Sequence, residues 1–178
     1  KTREHRTFPN HLNRQFVQNI PLRFFGTDIT YLPFNRRFAY LAIVKDIASG
    51  EIVSWHLSQY ITMELVLTMI EQMRRYSGAL IHSDQGFHYT NPAYIEKVKI
   101  LEMMQSMSRK ANCIDNAPVE SFFGHFKDEV DYKDSRTFEE LRQIVDNYIH
   151  YYNYERAQWS KKKMTPVEYR DHLLALYA

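Results

Sequence analysis

The chain has 178 residues, 44 % apolar and 25 % charged, with only five Gly and six Pro, which gives it enough apolar surface for one packed domain with short extensions and excludes a disordered or fibrous chain. Its formal net charge of +2 is close to neutral, so nucleic-acid binding would have to come from local patches rather than from the field of the whole molecule. The single cysteine, Cys113, excludes an internal disulfide and a multi-cysteine zinc site; with no apolar run of about 18 residues and a polar start at Lys1-Thr2-Arg3-Glu4-His5-Arg6, the expectation is a soluble, intracellular protein without a membrane span.

Residues 1–21 are basic, polar and aperiodic, which marks an N-terminal extension or linker ahead of the core. The run Leu22 to Tyr31, rich in aromatic and β-branched residues, predicts a first strand, interrupted by Asp28 where a charge is expensive. Phe38 to Val44 and Ile52 to Leu57, with the turn Ala48-Ser49-Gly50-Glu51 between them, complete a three-stranded antiparallel meander. Leu65, Val66, Met69, Ile70 and Met73 form a helical stripe across Thr62 to Tyr76. Ala79-Leu80-Ile81 predicts a strand that ends at Asp84 before the turn residues Gln85-Gly86, the usual place for ligand groups in open α/β sheets. A helix from Pro92 to about Lys99 and a short strand at Met103 to Met107 follow.

The next helix begins near Asp115-Asn116-Ala117-Pro118. Its apolar stripe is Val119, Phe122, Phe123, Phe126 and Val130, while Glu120, Gly124 and Lys127 share another face at i, i+4 and i+7. Thr137-Phe138-Glu139-Glu140 reads as a capping box for a long helix striped by Phe138, Leu141, Ile144, Val145, Tyr148, Ile149 and Tyr152. The helical spacing of its tyrosines points to core or subunit packing rather than to base stacking. Arg156 and Trp159-Ser160-Lys161-Lys162-Lys163 form the clearest basic patch, a phosphate-contact candidate or simply a solvated face. Thr165-Pro166-Val167-Glu168 opens a final helix. Strands first, then alternating helices and strands, predict an α/β domain with a mixed sheet flanked by helices.

Asp28, Asp84 and Glu120 are the candidate catalytic and metal-ligating residues. Each has an ordinary reading alone: Asp84 as a turn residue, Glu120 as a complement to its helix dipole, and Asp28, the hardest to dismiss, as an acid needing an Arg or several hydrogen bonds. Convergent carboxylates, with no His or Cys cluster beside them, favour Mg2+ or Mn2+ over zinc. His82 and His88 are weaker ligand candidates, since a lone His is more often structural or exposed. Cys113 reads as an ordinary loop residue. Gly124 would let DNA approach the helix and Lys127 would meet a phosphate, unless Lys127 merely pairs with a nearby acid.

The segments Thr27-Asp28-Ile29-Thr30-Tyr31, His82-Ser83-Asp84-Gln85-Gly86 and Ser108 through Phe123, with Arg109-Lys110-Ala111-Asn112-Cys113 leading into Glu120, resemble the DDE catalytic core of retroviral integrases and bacterial transposases. The resemblance is to the second open reading frame product of the insertion-sequence-three family in particular, and Tyr152-Asn153-Tyr154-Glu155-Arg156 and Met164 to Arg170 look like that family's closing motif. It runs from about Thr27 to Arg170, with Ala111 and Glu102 standing where Gly is usual. It implies a ribonuclease H-like fold with a mixed five-stranded sheet, a core over 22–156, and a C-terminal basic loop and helix over 157–178. It further implies two Mg2+ or Mn2+ ions on Asp28, Asp84 and Glu120, and metal-dependent 3′-end cleavage and strand transfer during DNA transposition and integration. The implied DNA contacts, to transposon ends and target, are Arg109, Lys110, Gly124, Lys127, Arg156, Lys161, Lys162 and Lys163, with a homodimer or higher oligomer assembled on DNA in the bacterial cytoplasm. The alternatives are a ribonuclease H-like nuclease that only hydrolyses and a DNA-binding module without chemistry.

Overall fold

The computed structural model describes residues 6–108 and 116–177. Three consecutive runs of aromatic and β-branched residues pair as a meander. Strand β1 (Phe24–Phe34) lies antiparallel to β2 (Arg37–Asp46), from Phe25 opposite Asp46 to Phe34 opposite Arg37. The two-residue tip has positive φ at both Asn35 (40°) and Arg36 (57°), the twist-matched geometry of a tight hairpin. Strand β3 (Ile52–Ser58) pairs antiparallel with β2. On the other side of β1 run the parallel strands β4 (Leu80–Ser83) and β5 (Met104–Met107), giving a mixed five-stranded sheet in the order β3-β2-β1-β4-β5.

Helices cover both faces, which is why β1 and β2 carry apolar residues on both. The helices are α1 (Met63–Glu71), α2 (Phe87–Thr90), α3 (Pro92–Ile100), α4 (Ala117–Glu129), α5 (Phe138–Tyr154) and α6 (Pro166–Ala175). On one face Leu32, Leu41 and Ile43 pack with Phe122 and Phe126 of α4 and Tyr148 and Tyr152 of α5. On the other, Phe25 and Val44 pack with Val66 and Met69 of α1 and Tyr94 and Val98 of α3. Gly26 sets how closely α4 approaches the sheet: a Cβ there would lie 2.6 Å from Val119 Cγ2. Any side chain at 26 would lift the start of α4 off β1.

Both expected capping boxes form, Thr137 with Glu140 and Thr165 with Glu168, the latter with Pro166 in the first turn. Three details depart from the sequence reading. Helix α1 ends at Glu71, and the chain continues to Tyr76 through tighter i→i+3 bonds such as Met73 N to Ile70 O and Tyr76 N to Met73 O. The short α2 carries no periodic signal in the sequence and is fixed by tertiary contacts. Part of the N-terminal extension also lies on the core: the Met107 N–H donates to Pro9 O, the His11 and Leu12 N–H groups to Ser106 Oγ, and Leu12 is 2 % exposed. The Pro9 contact pairs the Met107 N–H at the end of β5, an edge strand. Residues 157–175 are likewise docked, with Lys161 Nζ donating to Ala48 O at 2.7 Å and Arg170 to both oxygens of Glu51. Glu102 has φ of 55°, the left-handed conformation that favours glycine, which accounts for Gly being usual at this position. Among the described residues no helix is long and apolar enough to cross a membrane.

Candidate active site

The register of the two central strands brings the first two acids together. Gly26 of β1 pairs with His82 of β4, and two residues further along each parallel strand stand Asp28 and Asp84, on the same side by the two-residue alternation. Asp28 is half-buried, and its carboxyl is pushed up to about 7, first by burial and then by the charges of Asp84 and Glu120. Hydrogen bonds from the Ile29 N–H (2.8 Å to Oδ1) and from the Asn116 side chain oppose the rise. Asp84 closes the strand as a turn acid, its Oδ1 accepting the Gly86 N–H at 2.8 Å. A Cβ on residue 86 would lie 2.8 Å from that same oxygen, so glycine keeps this turn intact.

Glu120 enters from the first turn of α4 and is exposed. Its helix is tied to β1 by Asn116 Nδ2, which donates to Thr27 O at 3.3 Å, and by the close Gly26–Val119 approach. Asp28 and Asp84 line one cavity of about 200 Å3, walled by Tyr31, Tyr40, Ile61 and His88.

Among the described residues the three acids do not close into a ready-made ligand cluster, and no ion pair reaches them. Like charges hold apart, and Asp28 and Asp84 each lean on a backbone N–H instead. A half-buried carboxyl beside two further acids, offering only oxygen donors, fits a hard divalent cation. His82 is buried with Nδ1 2.9 Å from Ser106 Oγ, and His88 Nε2 lies 3.3 Å from Ile61 O, so both histidines are engaged by protein groups.

The candidate DNA contacts divide. Among the described residues Lys127 pairs with no acid; its ammonium sits 5.1 Å from the centroid of the Tyr31 ring, and burial lowers its pKa. Gly124 faces open space, since a Cβ there would meet nothing within 4 Å. Arg156, by contrast, is gripped by Glu129, with Nε 2.9 and 3.0 Å from its two carboxylate oxygens, and Glu129 also accepts from Tyr148 Oη at 2.9 Å. Lys161 is turned inward to Ala48 O, Lys162 Nζ lies 3.0 Å from His172 Nε2, and Lys163 lies 4.6 Å from the exposed Trp159 ring. Arg109, Lys110, Ala111 and Cys113 lie outside the described residues. The sequence reading passed over Asn116 as the anchor of α4 and Tyr31 as a cavity wall. The only signal for Tyr31 was its place in the strand that carries Asp28.

A mixed five-stranded sheet flanked by helices, with one acid inside β1, one just past the end of β4 and one in the first turn of α4, defines a ribonuclease H-like α/β core. Residues 18–113 match the family model described as Integrase core domain, and residues 120–174 match a second model of the same description. Sequence relatives include the putative transposase InsK for insertion sequence element IS150 of Escherichia coli (strain K12), 39 % identical over 170 residues covering 93 % of this chain and 60 % of that protein. An uncharacterized transposase-like protein of Haemophilus influenzae is 39 % identical over 169 residues, covering 93 % of this chain and 78 % of that one. Among solved structures, the HTLV-2 integrase catalytic core domain in complex with magnesium superposes with a TM-score of 0.66 at 14 % identity, over 85 % of this chain and 97 % of the other, a likeness of fold. The chain belongs to the integrase core domain family, with the transposases of the insertion-sequence-three type. It spans 60 % of the length of the IS150 relative.

Proposed function

We propose that this chain is the catalytic core of a transposase, carrying out metal-dependent 3′-end cleavage and strand transfer on DNA. The observation that supports this most directly is the half-buried Asp28, whose carboxyl is raised by burial and by the nearby charges of Asp84 and Glu120. Asp28, Asp84 and Glu120 would hold the Mg2+ or Mn2+ ions through their carboxylate oxygens. When bound, such a pair activates the attacking water or DNA 3′-hydroxyl and stabilises the leaving oxygen.

The chain's own residues supply the rest. Asn116 and the Gly26–Val119 contact fix where Glu120 stands relative to Asp28. The Gly86 N–H holds Asp84 at the strand end. On the outer face of α4, Gly124 leaves room for a DNA backbone, and Lys127, without an acidic partner among the described residues, is placed for a phosphate. Lys162 and Lys163 add phosphate contacts, as Arg109 and Lys110 would in the segment leading to Glu120. Arg156 and Lys161 act mainly on the fold, because their charges are already engaged. Joining two ends to a target needs at least two copies assembled on DNA, in the bacterial cytoplasm where the chromosome lies.

A strand-transfer assay with labelled element ends, a target plasmid and Mn2+ tests the reading on wild type and Asp28→Asn. Joined product from wild type alone is expected. Cleavage without joining would point to a hydrolytic nuclease, and DNA binding with no metal-dependent chemistry to a binding module.

A further inference from the structure

The acid cleft has an unusual rim. Tyr31, seven residues into β1, is 60 % exposed and walls the cavity that holds Asp28 and Asp84. Its ring meets Phe38 of β2 edge-on at 5.8 Å and 78°, and Phe38 is itself 53 % exposed. Across the same cavity Ile61 is 50 % exposed, flanked by the exposed Tyr60, and His88 carries the exposed Phe87 against it with ring centroids 5.7 Å apart. Single exposed aromatics are ordinary on a protein surface. Apolar rings gathered around a carboxylate cleft mark a recognition surface instead.

The Lys127 ammonium, 5.1 Å from the Tyr31 centroid and on the helix that carries Glu120, adds a cation to this rim. A surface that combines a flat exposed ring, a cation resting on that ring and a neighbouring acid cavity matches a nucleotide: base on the ring, phosphate on the ammonium. Bases inside a duplex are stacked on both faces, whereas an unpaired nucleotide can turn a free face to the ring.

We propose that Tyr31 is a stacking platform for an unpaired base beside the reacting phosphate, and that Lys127 moves from the ring to the adjoining phosphate as that base arrives. Phe38 supports the platform by holding the Tyr31 ring from the side. The proposal rests on the reading of this cleft as a DNA-cleaving site and extends it: Tyr31 selects a frayed or overhanging end over a blunt one, independently of base identity, because every base has a stacking face.

The test uses the whole chain in EDTA, so that binding is read apart from chemistry. The probes are a blunt DNA duplex and the same duplex with a short single-stranded overhang carrying 2-aminopurine. Wild type is expected to bind the overhang more tightly than the blunt duplex and to change the 2-aminopurine fluorescence. Tyr31→Phe keeps both effects. Tyr31→Leu, which retains apolar bulk on the strand but lacks a ring, loses roughly tenfold in overhang affinity, equivalent to about 1.4 kcal/mol, with blunt binding unchanged. Melting curves of both variants establish that the fold is kept. Equal affinity of wild type for the two probes overturns the proposal, as does Tyr31→Leu with wild-type overhang affinity and fluorescence, or an equal loss on both probes. Absence of joined product in the strand-transfer assay, with the overhang preference intact, would sink the transposase reading and leave the stacking platform standing.

Discussion

The acid cleft and the basic C-terminal segment are the two charged regions that stand out in this chain, and the structure treats them in opposite ways. Around Asp28 the charges have no counterpart: among the described residues no ion pair reaches Asp28, Asp84 or Glu120, and the Asp28 carboxyl is forced up to about 7. In the basic segment the charges are largely used up, with Arg156 on Glu129, Lys161 on Ala48 O and Arg170 on Glu51. A cluster left uncompensated costs folding energy and persists where a ligand will supply the missing charge. A cluster compensated from within is part of the architecture. Counting charges along a sequence does not separate the two; partners do.

The sharpest break of that contrast is Asp28→Asn. Removing this carboxylate should lower metal-dependent strand transfer by about a hundredfold or more, on the scale of losing one essential electrostatic group, as read by joined product per unit time. Full activity in this variant would place the chemistry elsewhere.

The same substitution tests the stored cost. Because the folded carboxyl titrates near 7 against an ordinary value of 3.8, the folded chain holds an extra proton between those values. Stability therefore falls as pH rises from about 4 to about 7 and stays lower above it. In EDTA, Asp28→Asn is expected to be more stable than wild type by a few kcal/mol at pH 8, on the scale of about 1.4 kcal/mol per pKa unit, with the gap closing towards pH 4. Urea unfolding at the two pH values measures it. Mn2+ should raise the melting temperature of wild type at pH 8 and leave that of the variant unmoved.

On the compensated side, Arg156→Ala strands Glu129, which keeps Tyr148 and His125 near it. Since the pair is partly solvated, a loss of about 1 kcal/mol is expected, roughly 2 to 4 °C in melting temperature. Under the same conditions the affinity for DNA should fall little, which a salt titration of binding would check. A marked drop in the salt slope would return Arg156 to the DNA surface.

Gly124→Ala gives the smallest effect and an informative one. A Cβ at 124 meets nothing within 4 Å, so exchanging Gly for Ala inside α4 should stabilise the protein by up to about 1 kcal/mol. If α4 lies against DNA, the stabilised variant should bind DNA more weakly. Unchanged DNA affinity would show that Gly124 leaves room for nothing.

Much of this molecule was legible in its order of residues because local rules govern it. The meander follows from the aromatic and β-branched runs between Phe24 and Ser58, the capping boxes at Thr137 and Thr165 from hydroxyl and carboxylate spacing, and the stripe of α4 from Val119, Phe122 and Phe126. The acids could be nominated from sequence because Asp28 breaks an apolar strand and Asp84 ends one. What decided their meeting was the parallel register of Gly26 with His82 and the close seat of Val119 on Gly26, both long-range contacts without a local signature.

The fate of each cation was also a tertiary matter. Lys127 and Arg156 look equally available on paper, yet one rests on Tyr31 and the other is gripped by Glu129. Composition and periodicity determined which elements form and which face each one buries. Only the packed structure, by choosing neighbours far apart in the chain, determined which charges are compensated from within and which, among the described residues, meet no opposite charge.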